Sequence, residues 1–150
     1  MKYTYIYLLV FYFILGCDSE ENLTFLEKYD GSVWSHPSDD GETTPLAERL
    51  GFYNSTSIFL VMKDVSDYWC ETIREGHNAN YNETIIIEEN TSERLKIKIS
   101  YSNGDYDEII FIVNDNNKLD VIVKEIYVDD DNDRDDYTYT LLPDESNLNC

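Results

Sequence analysis

One stretch of strictly alternating side chains constrains the fold more than any other feature. Residues 95–101 alternate apolar and polar with a period of two, the repeat of a β-strand with one buried and one solvated face. Asn103-Gly104 follows, a pair preferred at the centre of a two-residue type I′ turn. A second apolar run then occupies residues 108–113. The sequence therefore predicts a β-hairpin within an antiparallel sheet.

Shorter apolar runs on both sides of this hairpin predict the remaining strands. They lie at residues 33–34, 57–62, 68–74, 84–88, 119–123 and 137–141. With the two strands of the hairpin, this makes eight strands. After the 119–123 run the apolar phase slips by one position, at Ile126 and Val128, which predicts a β-bulge near Lys124 and Glu125.

The connections indicate how these strands pair. From residue 52 onward they are short, which favours antiparallel pairing of neighbours, and closure removes the exposed edges of a long meander. The long first connection carries Thr44, Pro45 and Gly51 in the order expected for a helix N-cap, first residue and end. The predicted fold is all-β: an eight-stranded antiparallel up-and-down barrel with one short helix, residues 45–50, in the first long loop.

In a closed barrel, alternation places Ile97, Ile99, Tyr139 and Leu141 on the inner face. These four side chains are the candidate contacts for a small apolar ligand. They are bulky, so the room that they leave inside the barrel decides whether such a ligand enters.

The charge balance excludes one class of partner. The chain has 31 acidic against 11 basic side chains and a formal net charge of −20. Nucleic-acid binding needs clustered Lys and Arg, so no nucleic-acid partner is expected. A hydrophobic fraction of 42% with 13 tyrosines indicates a folded acidic domain.

The first sixteen residues differ from the rest of the chain. Met1-Lys2 is a short positive start, and residues 3–16 contain no charge. As a helix they would span about 21 Å, which is too short to cross a membrane unaided. This arrangement predicts an export signal at residues 1–16.

The end of this segment resembles the lipobox of bacterial lipoprotein precursors, in Ile14-Leu15-Gly16-Cys17. The resemblance implies cleavage before Cys17 and a covalent lipid on that cysteine, which becomes the membrane anchor. Residues 17–22 then form an acidic tether. This tether looks like the surface-export tag of Bacteroidota lipoproteins, which implies an outer-membrane protein anchored by palmitate or another acyl chain and exposed at the cell surface.

Residues 23–150 form the predicted barrel domain, whose layout resembles lipocalin-like bacterial proteins. The shared features are a helical turn at 24–29, Gly31 to Trp34 on the first strand, a long first loop and hairpin-linked strands. The resemblance implies either an apolar ligand inside the barrel or an interior filled by side chains. In the second case the protein would be an interaction module whose acidic face meets a basic protein or a cation. Trp34 is interpreted as a packing residue at the base of the barrel.

Two cysteines remain when Cys17 carries the lipid. In an exported protein Cys70 and Cys150 are expected to form a disulfide. Such a bridge closes a loop of about 80 residues and stabilises by about 4 kcal/mol in the chain-entropy model. The alternative is a buried free thiol at Cys70 and a frayed Cys150.

The candidate chemical sites are few. Asp129, Asp131 and Asp133 stand at alternate positions, as at the start of an EF-hand calcium loop, but Arg134 replaces the required Gly and Thr140 the bidentate Glu. A solvated acidic loop is favoured over weak calcium binding. The sequence contains no nucleophile elbow, phosphate loop or short-spaced zinc ligands, so no catalytic residue, enzyme activity or other cofactor is predicted.

Overall fold

The computed structural model describes residues 23–36, 48–54, 58–64, 70–78, 81–114, 117–146 and 148. The predicted signal peptide at 1–16, the tether at 17–22 with Cys17, and Cys150 lie outside the described residues.

The described residues form one short helix and ten strands. The helix, α1, spans Phe25–Lys28. The strands are β1 (Ser32–His36), β2 (Glu48–Phe52), β3 (Leu60–Asp64), β4 (Cys70–Ile73), β5 (Gly76–Asn78), β6 (Glu83–Asn90), β7 (Arg94–Tyr101), β8 (Tyr106–Asn114), β9 (Lys118–Ile126) and β10 (Asp133–Ser146).

All ten strands belong to one antiparallel sheet. Their order is β4-β3-β2-β1-β10-β9-β8-β7-β6-β5. The first strand of the chain, β1, therefore pairs with the last, β10. The two ends of the sheet, β4 and β5, are consecutive in the chain and only Arg74 and Glu75 separate them. The sheet is therefore curled until it nearly closes, and the prediction of an all-β antiparallel barrel is confirmed, with ten strands in place of eight.

The prediction of a helix at 45–50 is wrong for residues 48–50, the part of it that the structure describes. Glu48–Phe52 is strand β2, which pairs with β1 on one side and with β3 on the other. Leu50 and Phe52 alternate into the core, so the burial of these two side chains prevails over the local helix-boundary signals. Residues 45–47 lie outside the described residues.

The short helix of this fold is α1, at the predicted helical turn. The Thr24 side chain accepts a hydrogen bond from the Glu27 N–H (3.3 Å), and the Glu27 carboxylate accepts one from the Thr24 N–H (2.8 Å). This reciprocal capping box satisfies donors that a four-residue helix would otherwise leave open.

The central hairpin is confirmed, but its turn differs from the predicted type I′. Positive φ occurs at Gly104 (98°) and not at Asn103. The Gly104 N–H donates to the Tyr101 carbonyl (3.2 Å), and the Tyr101 N–H donates to the Asp105 carbonyl (2.9 Å). This is a three-residue loop, in which the glycine takes the left-handed position that follows a type I turn.

Candidate functional site: the acidic end of the barrel

One end of the barrel interior is filled with apolar side chains. Inward positions of the strands form one hydrophobic cluster that includes Trp34, Leu50, Phe52, Leu95, Ile97, Ile99, Phe111, Leu119 and Tyr139, and Leu141 packs against it. Trp34, Leu95, Ile97 and Leu119 are completely buried. The structure thus brings the four candidate ligand contacts together inside the barrel, where they pack against other side chains. Ligand binding by them stays a prediction.

Helix α1 lies at this filled end. The Phe25 ring packs edge-on against Phe52 with ring centres 5.2 Å apart, and Tyr29 packs edge-on against Trp34 at 5.9 Å. The Leu26 N–H donates to the Asn90 side chain (3.2 Å), which ties the helix to β6. Trp34 is therefore a packing residue, as the sequence predicted.

At the opposite end of the barrel, which we call the acidic end, the inward side chains change from apolar to acidic. On β7 the inward series ends at Tyr101, whose partner on β6 is Glu83. Asp107 on β8 stands opposite Ile99, and Glu125 on β9 stands opposite Asp107. By the same alternation the inward carboxylates at this end include Glu48, Glu71, Glu83, Asp107, Glu125, Asp133 and Asp135.

Glu125 reaches this position because the predicted bulge is absent. Register runs unbroken through Lys124 and Glu125, both toward β8 and toward β10. Alternation therefore turns Ile126 outward and Glu125 inward. The phase slip in the sequence marks the point where the inner face of β9 changes from apolar to acidic.

These inward carboxylates lie close enough to influence one another. The Tyr101 hydroxyl donates to the Asp107 carboxylate (2.6 Å). Burial, followed by the charges of Glu125 and Asp105, raises the pKa of Asp107. Burial, followed by the charges of Glu71 and Asp107, raises the pKa of Glu83. The acidic end therefore holds carboxylates whose ionised forms are disfavoured by partial burial and by one another.

Tyrosines accompany the carboxylates. Burial and the hydrogen bond to Asp107 raise the pKa of Tyr101 well above its ordinary value. The hydroxyl of Tyr139 donates to Glu48 (2.6 Å), and the Tyr127 hydroxyl donates to Glu125, which raises the pKa of Tyr127 to about 12. These phenols stay protonated at neutral pH and act as donors to the carboxylates.

The basic side chains of the strands occupy the other face of the sheet. Lys96 lies between Glu88 (2.8 Å) and Glu108 (2.7 Å), and Lys124 approaches Glu108 (3.5 Å). These residues, like Arg94 with Glu89 and Arg134 with Asp136, are outward by alternation. Within the described strands, no Lys or Arg takes an inward position. The inner acidic charge is therefore not neutralised by inward cations of these strands.

Four exposed apolar or aromatic side chains lie at the same end. Tyr81 in the β5–β6 turn is 71% exposed and Val128 after β9 is 64% exposed. Tyr127 and Tyr137 are each 37% exposed. Exposed aromatics beside carboxylates are typical of surfaces that bind a partner or an organic cation.

A cleft of about 710 Å³ opens where the sheet fails to close, between β4 and β5–β6. Its lining includes Glu71, Glu83 and Tyr81 from the acidic end. This cleft is distinct from the apolar interior around Ile97, and sequence reasoning missed it. Only the pairing of the whole sheet reveals which two strands are left facing each other.

The predicted metal residues lie apart from this cleft. Asp129 and Asp131 are exposed in the β9–β10 loop and Asp133 begins β10. Within the ranges that the structure describes, no group of three or more His, Cys, Asp and Glu side chains could hold a metal ion. Weak calcium binding by this loop stays a prediction.

Of the two predicted disulfide cysteines, the structure places one. Cys70 begins β4 and lines the cleft. Cys150 lies outside the described residues, so the disulfide between Cys70 and Cys150 stays a prediction.

Comparison with known proteins finds no matching family model, no matching curated protein and no matching solved structure. The described residues form an antiparallel barrel whose interior has an apolar half and an acidic half. Across the described ranges, no helix has the length and apolar character needed to cross a membrane.

Proposed function

We propose that this protein is a lipid-anchored surface lipoprotein whose lipocalin-like barrel binds a cationic ligand at its acidic end. One observation carries the proposal: the inner face changes from apolar to acidic at the same end of the strands around the barrel, while the strands keep their Lys and Arg outside. Carboxylates held together in this way lower their mutual repulsion when a cation binds between them. The lipobox resemblance at Cys17 supports the anchor.

Two features support a cation over an apolar ligand. Ile97 and Tyr139, which a ligand inside the barrel would touch, are already buried, at 0% and 3% exposure. An apolar ligand would have to displace them, whereas a cation at the acidic end meets carboxylates and tyrosines without disturbing the core. We therefore propose that the acidic partner face suggested by the sequence lies on the inside of one barrel end.

Calorimetric titration with spermine, a soluble polycation, tests this proposal. We expect saturable binding that weakens as salt is added, because ion pairing is screened. The double variant Glu83→Gln/Glu125→Gln removes two inward charges and is expected to bind about tenfold or more weakly. The matched control Glu88→Gln/Glu93→Gln removes two outward charges near the other end and should bind within about threefold of the parent.

Equal weakening in both double variants would reduce the effect to net charge and contradict a site at the acidic end. A separate titration with an apolar fluorescent dye addresses the alternative ligand. Saturable dye binding that Ile99→Trp abolishes would favour an apolar ligand inside the barrel.

A further inference from the structure

The cleft between β4 and β5–β6 has the size of a ligand site. Its volume of about 710 Å³ falls within the range of small-molecule pockets. Arg74 and Glu75, the two residues that join β4 to β5, also line the cleft, so its lining holds one basic side chain beside the carboxylates. The Glu75 carboxylate is engaged there, since it accepts a hydrogen bond from the Ile87 N–H (3.4 Å).

Carboxylates approach this cleft from both of its edges. Glu71 comes from β4 and Glu83 from the start of β6. Their charges interact across the gap, and Glu71 contributes to the raised pKa of Glu83. A cation between them would relieve a repulsion that is built into the folded chain.

Two residues of the lining offer apolar surface to a hydrocarbon chain, beside the polar Thr72, Arg74, Glu75 and Asn78. Ile85, which is only 5% exposed, lies next to Glu83 along the inner face of β6. Tyr81, which is 71% exposed, offers an aromatic ring at the side. A ligand with a charged head and an apolar chain would therefore contact complementary surface at both parts.

We propose that this cleft binds a primary alkylammonium group, with Glu71 and Glu83 as its counter-ions and with Ile85 and Tyr81 along its alkyl chain. The inference rests on the proposed function, since it names the ligand class and the position at the acidic end. An ammonium is a compact charge with three donors, so it bonds carboxylates that approach from opposite sides. A guanidinium favours one carboxylate in its own plane. A free polyamine and the lysine side chain of a partner protein both present this chemistry.

Calorimetry with 1,5-diaminopentane tests the inference on the folded barrel domain. Glu71→Gln and Glu83→Gln are each expected to weaken binding about tenfold. Glu93→Gln, in the exposed β6–β7 turn at the other end of the barrel, is the control and should change it by about twofold or less. The diacetylated diamine has the same chain without charge and should not bind. Thermal melts of each variant verify that it is folded.

A second arm identifies the source of the ammonium. Tighter binding of the diamine than of Nα-acetyl-lysine amide would support a free polyamine, and the reverse would support a lysine side chain of a protein. If the parent binds the diamine and Glu125→Gln, elsewhere at the acidic end, weakens this binding while Glu71→Gln and Glu83→Gln do not, the cleft assignment is overturned while the proposed function stands. If the parent binds neither the diamine nor spermine, both are overturned.

Discussion

At the residue scale, Glu83 links the acidic end of the barrel to the pH dependence of the free energy of unfolding. Its folded pKa is raised, so the folded chain binds more protons than the unfolded chain in the window above the ordinary Glu value of 4.5. Its contribution to the free energy of unfolding therefore decreases as pH rises through that window. Carboxylates with lowered folded pKa, such as Glu108 beside Lys96, contribute in the opposite direction.

Replacing this charge should therefore stabilise the protein at neutral pH. We expect Glu83→Gln to unfold at a higher urea concentration than the parent at about pH 7, with the difference shrinking toward about pH 4. Glu93→Gln, which removes an exposed carboxylate from the β6–β7 turn, is the control and should show no such trend. A variant that is less stable than the parent at neutral pH would contradict the repulsion between Glu83 and its neighbours.

Ile97 is the corresponding residue of the filled half. It is completely buried on the inner face of β7. Ile97→Ala removes packed methyl groups and leaves a cavity, so we expect a loss of about 2–5 kcal/mol in the free energy of unfolding. Ile86→Ala, on the outer face and 41% exposed, should lose less than about 1 kcal/mol. Urea denaturation compares them, and equal losses would mean that the interior is loosely packed.

At the scale of the elements, α1 is short but well anchored. The capping box and the contact of Phe25 with Phe52 fix it at the filled end. We expect Thr24→Ala to reduce stability by about 1 kcal/mol, because it removes the N-cap acceptor. Thr24→Ser retains that acceptor and should restore most of the stability in the same thermal melts. Equal losses in the two variants would assign the effect to the methyl group of Thr24.

Leu148, beyond the last strand, lies on the outer face of β2. The Tyr53 hydroxyl donates to the Leu148 carbonyl (3.0 Å), and a side chain added at Gly51 would touch the Leu148 methyl at 3.4 Å. Val33 and Val61, which pair with Gly51 from either side, are outward by alternation and yet only 1% and 3% exposed. Leu148 therefore belongs to a covered patch on the outer face.

This patch supports the predicted disulfide. Cys70 is two residues from Thr72, the partner of Val61, and so lies on the same outer face. Cys150 follows Leu148 by two residues, which span about 7 Å, and we keep the prediction that it pairs with Cys70 on this face. Peptide mapping without reduction should recover Cys70 linked to Cys150. A Cys70–Cys17 peptide would contradict both this pairing and the acylation of Cys17.

The elements also show what sequence patterns miss. Alternation located β7, because one face of that strand is buried along most of its length, and a run of apolar residues located β8. Sequence patterns failed at β2, where Pro45 and Gly51 indicated helix boundaries although Leu50 and Phe52 are buried between two partner strands. They failed again at Glu125, because an acidic side chain on an inner face has no counterpart in a simple pattern of buried apolar residues.

At the scale of the whole molecule, the acidic end depends on closure. Glu71, Glu83 and Asp107 are scattered among 31 acidic residues in the sequence, and only the shared register of the sheet gathers them. The cleft depends on the same step, since it lies between the strands that closure leaves unpaired. Fold class could thus be predicted from the chain, whereas the candidate site could not.

The predicted lipid anchor at Cys17 also concerns the molecule as a whole. We expect Cys17→Ala to remain unacylated and to leave the membrane fraction, because the apolar segment before it is too short to span a bilayer. Feeding cells with labelled palmitate compares the parent with the variant. Absence of label from both would contradict the lipoprotein assignment.

Cation binding at the acidic end of the filled barrel can be followed through the backbone amide chemical shifts while spermine is added. We expect saturating shifts at residues 83–85, 99–107 and 123–127, with little change around α1 and at Leu95 or Phe111. Saturating shifts confined to the outer face or to the α1 end, or no saturating shift at all, would contradict binding at the acidic end.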